Sequence, residues 1–134
     1  MAMKNPYQTY SNNSVTTASP GELTLMLYNG CLKFIHQAKK AIAEKNIEAK
    51  NTNIQKAQAI IQELMVTLNM EVAMSQNLLS LYDYLNRRLM EANVKNDPAI
   101  LEEVEGFVTE FRDTWKEVIQ KNRQLQHGGK GGQA

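Results

Sequence analysis

Ser19 to Phe34 reads SPGELTLMLYNGCLKF, a stretch that states both where a helix begins and how its faces divide. Ser19 can cap the helix with its hydroxyl. Pro20 suits the first helical position, where no amide hydrogen is needed. Glu22 stands three residues after Ser19, so its carboxylate can reach back in a capping box. One apolar stripe follows as Leu23, Leu27, Cys31, Phe34, Ala38 and Ile42, with Gly30 beside it. That is the i, i+3, i+4 spacing of a core-facing stripe. A second stripe, Leu25, Tyr28, Leu32 and Ile35, is turned about 120° away at about 100° per residue. A surface helix of a bundle needs only the first stripe. The second is therefore expected to be covered by something outside the bundle.

Three more helices follow. Asn46 is a candidate cap for the second, whose Ile54, Ala57, Ile61, Leu64 and Leu68 form an a/d seam one heptad after Ile47. Its pattern slips between Met70 and Ser75. The third starts near Ser75 and carries Leu78, Tyr82, Leu85, Leu89 and Ala92, with Glu91 and Lys95 one turn apart near its end. Asn96-Asp97-Pro98 is a strong break: Asn96 ends the third helix, Asp97 caps the fourth and Pro98 takes its first position. The fourth bears Val104, Val108, Phe111, Trp115 and Val118 on one face. Glu102, Glu103 and Glu105 near its start are read as complementing the helix dipole, with Lys121 and Arg123 at its end. The expected fold is all-α, an antiparallel up-down four-helix bundle over residues 19–126. Residues 1–18 are polar and aperiodic but hold Tyr7 and Tyr10, so they are read as a docking arm. The glycine-rich residues 127–134 are expected to be a disordered tail.

The chain has 134 residues, enough for one core. Its 15 Lys and Arg against 14 Asp and Glu leave a net charge of +1, which argues against a nucleic-acid binder. Its one cysteine cannot close an intramolecular disulfide and suits a reducing compartment. No leader or membrane span is visible, so no membrane insertion is expected and the cytoplasm is the expected location.

No catalytic, cofactor-binding or metal constellation is expected. Neither His36 nor His127 follows a Glu by three residues, as a di-metal bundle site requires. His36 reads as solvated, and Cys31 as a small buried hydrophobe. Several apolar residues nevertheless leave the seams: Ile60 and Val66 on the second helix, and Leu79, Met90 and Val94 on the third. Gly106 faces outward on the fourth, where glycine costs about 1 kcal/mol against alanine unless another backbone approaches. With the second stripe of the first helix, these residues suggest a surface for amphipathic partner helices.

The chain resembles the flagellar secretion chaperones, the FliS family, over nearly its whole length. Asn5-Pro6-Tyr7 with Tyr10, Ser19-Pro20 with Glu22-Leu23, and Met26 to Gly30 carry the match at the start. It continues through Lys56-Ala57, Ile60-Ile61, Leu81 to Tyr84, Arg87-Arg88-Leu89, Ala92-Asn93 and Asn96-Asp97, then Val104-Glu105-Gly106 and Trp115-Lys116. The resemblance implies a helical bundle without enzymatic activity. It implies a client, the C-terminal segment of flagellin, kept from premature polymerisation and delivered to a protein of the flagellar type III export gate. It also implies that the arm, here with Tyr7 and Tyr10, lies over part of the client site and moves when flagellin binds. The family position after Tyr28 is usually acidic and is Asn29 here. Two other classes compete: a bundle enzyme with an unrecognised metal or redox site, and a helical homodimerisation or regulatory module without a flagellin client.

Overall fold

The computed structural model describes residues 20–133, with side chains described for 21–123. Ser19 and the arm with Tyr7 and Tyr10 lie outside the described residues. Four helices follow in order: α1 (Pro20–Ala43), α2 (Ile47–Val66), α3 (Ala73–Lys95) and α4 (Pro98–Gln133). Local chemistry sets their junctions. The Asn46 side chain accepts from the Ala49 amide at 3.0 Å and caps α2. Asn96 takes a left-handed conformation, φ 53°, and closes α3. The Asp97 carboxylate accepts from the Ala99 amide at 2.9 Å, immediately before Pro98 turns into helix.

Each helix has two neighbours: α1 packs on α2 and α4, and α3 packs on the same two, with a Tyr28–Tyr82 hydrogen bond crossing the diagonal between α1 and α3. Directions alternate. From Lys39 back to Gly21 along α1, the partners on α4 advance from Glu105 to Trp115. Gln58 meets Asn86, and Lys50 meets Asn93, across the antiparallel α2–α3 pair. The expected up-down bundle is the fold observed.

This square of neighbours corrects the reading of α1. Its second stripe is not left for an outside cover. Ile35 is 0% exposed and Tyr28 is buried, while Leu25 and Leu32 are half-buried. A corner helix faces two neighbours, so it needs one stripe for each. The first stripe meets α2, where a Cβ on Gly30 would lie 3.2 Å from Ile60 Cδ1. The second meets α4, where Tyr28 and Phe111 ring centroids lie 5.9 Å apart. Ile60, expected off the seam, is likewise in the core.

The remaining seams are buried as expected at Ile54, Ala57, Ile61 and Leu64, at Tyr82, Leu85, Leu89 and Ala92, and at Val104 and Val108. All three glutamates near the start of α4 act across helices as well as along the dipole, Glu102 through an ion pair with Lys39 of α1 at 3.8 Å. Glu103 accepts from Tyr84 and Arg88 of α3, and Glu105 from Lys39 of α1 at 2.8 Å. The backbone of α4 stays helical to Gln133, past residue 126, where the bundle was expected to end. No proline follows Pro98 to break it.

Candidate functional site

The bundle finishes its surface unevenly. Among the described residues, the large apolar side chains left exposed all belong to α2, α3 or their connection. Val66, Met70, Val72 and Met74 cluster in sequence around the α2–α3 turn. Ile47, Met90 and Val94 sit at the opposite end of the same helix pair. That second group is held together by Lys50. Its ammonium donates to the Asn93 carbonyl at 2.8 Å and to the Asn96 side chain, tying the start of α2 to the end of α3. Lys50 is itself buried, with its charge directed at groups that close the C-terminal end of α3, where a cation is favoured.

The expected docking residues divide accordingly. Val66 is 77% exposed, Val94 79% and Met90 52%, so these three present open apolar surface. Leu79 is half-buried on α3. Gly106 is exposed on α4, and a Cβ there would meet nothing within 4 Å. Leu25 and Leu32 are half-buried against the α4 side. Leu25 lines a recess of about 190 Å³ with Glu22, Lys116, Ile119, Gln120 and Arg123. Tyr28, Ile35 and Ile60 are core residues in this structure. Ile47, placed by spacing one heptad before the α2 seam, is instead 52% exposed at the first turn of the helix. Met70, Val72 and Met74 escaped the sequence reading. Their only signal was apolar residues within a stretch where helical periodicity fails.

Reactive chemistry is muted. Burial pushes the Cys31 thiol up to about 12, so it stays protonated and inert near neutrality. Tyr28 and Tyr82 share a buried hydroxyl hydrogen bond of 2.7 Å, and burial raises both phenols further. Each satisfies the other, which explains two phenols inside an apolar core. His36 is exposed. Among the described residues no three His, Cys, Asp or Glu side chains converge as metal ligands would. No helix of the described part is long and apolar enough to cross a membrane. What the surface offers chemically is apolar area framed by helices.

The family model described as "Flagellar protein FliS" matches residues 3–122. The chain is 57% identical over 131 residues to the "Flagellar secretion chaperone FliS" of Bacillus subtilis, covering 98% of each chain. It is 37% identical over 110 residues to the protein of that name in Escherichia coli, covering 80% of this chain and 81% of the relative. The Salmonella typhimurium protein of the same name is 35% identical over 112 residues, covering 81% and 83%.

Proposed function

The chain belongs to the FliS family of flagellar proteins, and from that premise we propose that it is an export chaperone for flagellin. It binds the C-terminal segment of its client in the cytoplasm, masks it from premature polymerisation, and passes it to the flagellar type III export gate. The arm of residues 1–18, with Tyr7 and Tyr10, covers part of the client surface and yields to flagellin. No covalent chemistry is required. A segment that folds only on binding loses ordering entropy, so its receptor must supply broad apolar contact.

The observation that carries this reading is that, among the described residues, the exposed large apolar side chains fall on α2, α3 and their connection, with Val66 and Val94 more than three-quarters exposed at opposite ends. Helices of a client can lay apolar faces there without disturbing a core that is already complete.

Co-purification tests it directly. Full-length flagellin is expected to form a one-to-one complex, and flagellin lacking its C-terminal segment to form none. Calorimetry of the complex is expected to show a negative heat-capacity change. The double substitution Met90→Asp with Val94→Asp is expected to weaken binding at least ~10-fold while leaving the fold intact. Equal binding of the shortened flagellin would overturn the assignment of the client segment.

A further inference from the structure

On the α1–α2 side, two lysines lean on one aromatic ring. The Lys33 ammonium lies 5.6 Å from the Phe34 ring centroid and that of Lys56 lies 5.5 Å from it. Lys33 is exposed, Lys56 half-buried and Phe34 buried. Lysines at a helix surface can pair with carboxylates one turn away. Here the positions three and four residues from Lys33 are Asn29, Gly30, His36 and Gln37. Those flanking Lys56 are Thr52, Asn53, Ala59 and Ile60. None is acidic. Among the described residues neither lysine has an ion pair, in contrast to Lys39 of the same helix, which pairs with Glu102 and Glu105.

The rest of α1 after Glu22 and the two ends of the chain supply no Asp or Glu either. From Leu23 to Ala43, α1 contains no Asp or Glu, and residues 1–19 and 124–134 contain none. Neither the arm nor the tail can therefore bring an acidic side chain to these lysines. The two cations are held by the ring, one from α1 and one from α2, where the helices pack so closely that a Cβ on Gly30 would lie 3.2 Å from Ile60 Cδ1.

We propose that Lys33 and Lys56, aligned by Phe34, receive carboxylate side chains of the bound client. This assignment rests on the flagellin reading and adds an electrostatic anchor on α1–α2, apart from the apolar surface of α2–α3. Two point charges suit the acidic side chains of a client segment. They are too few for a phosphate backbone. The anchor sets register and accelerates encounter more than it adds affinity.

Zero-length carbodiimide coupling of the complex between the full chain and flagellin tests this, because the reagent joins an amine only to a carboxylate in contact with it. The expected products link Lys33 and Lys56 to Asp or Glu of flagellin. The paired substitution Lys33→Glu with Lys56→Glu is expected to weaken flagellin binding about 10-fold at low salt and far less at high salt, where the charges are screened. Lys33→Met with Lys56→Met keeps the stems on Phe34 and is expected to cost about threefold, with an unchanged melting profile guarding against misfolding. A complex that forms normally, yet couples through other lysines and ignores both variants, overturns the anchor and leaves the chaperone reading standing. Products joining Lys33 or Lys56 to a second copy of this chain overturn it in favour of self-association. Failure of the unmodified chain to bind flagellin overturns the client reading, and the anchor with it.

Discussion

Along α1 and α4, apolar side chains that leave one seam find another. Tyr28 meets Tyr82 and Phe111, and Trp115 donates its indole hydrogen to the Gly21 carbonyl at 2.8 Å. Ion pairs then close the margin, Lys39 with Glu105 and Arg123 with Glu22. Along α2 and α3, the margin is made of amides, as in the Gln58–Asn86 bond, and the apolar side chains beyond it stay open. The two sides use the same helical spacing, so their difference lies in what each helix finds beside it. Surface that is closed by charge on one side is left exposed and apolar on the other. Such an investment makes sense when a partner, rather than the fold, uses that area.

The sharpest way to break this contrast is at Ile35, which sequence spacing placed with the docking residues and the structure places in the core. Ile35→Ala is expected to destabilise the chain by about 2–5 kcal/mol in urea unfolding, the usual cost of emptying a fully buried aliphatic site. Val94→Ala, on the open side, is expected to change stability by no more than about 0.5 kcal/mol. Comparable losses at the two positions would erase the distinction.

A smaller effect follows from the α3–α4 margin. Hydrogen bonds from Tyr84 and Arg88 hold the Glu103 carboxyl below the usual carboxylate range. Its folded pKa is depressed, so its contribution is present above the unfolded value near 4.5 and is lost as pH falls through the lower folded value. Urea midpoints of the parent chain and Glu103→Gln are therefore expected to differ at pH 7 and to converge in acid. The pair is half-exposed, and a gap of roughly 1 kcal/mol or less is expected at neutral pH.

The smallest effect is expected at Gly106, and with the opposite sign. Gly106→Leu has open space to enter and raises helix propensity, so the free chain should gain somewhat under 1 kcal/mol. If a client backbone approaches α4 there, flagellin affinity should fall despite that gain. Lost stability with intact binding would show that the glycine serves packing.

Most of the fold was legible in the sequence because its junctions are chemically local. Asn46, Asn96, Asp97 and Pro98 each act within a few residues of their own position. Heptad seams on α2 and α3 identified core faces for the same reason. The number of neighbours around a helix is not local. Two stripes on α1 are equally consistent with two intramolecular partners or with one partner and an interface, and only the α4 contact decides. The exposed apolar side was legible at Val66, Met90 and Val94, where apolar residues break a regular seam. It was hidden at Met70, Val72 and Met74, where no period exists to be broken. The buried Lys50 carried no sequence signal, since its partners are a backbone carbonyl and an amide 43 and 46 residues away.

The bond from Trp115 to Gly21 has a spectroscopic consequence. This chain has a single tryptophan, so light absorbed at the red edge of the aromatic band is emitted from one place. That place is where α4 meets the first turn of α1. Any shift of that turn moves Gly21, whose carbonyl is the indole's acceptor. The protein thus carries a built-in optical gauge at the start of α1, readable in the unlabelled molecule by the colour and lifetime of its emission.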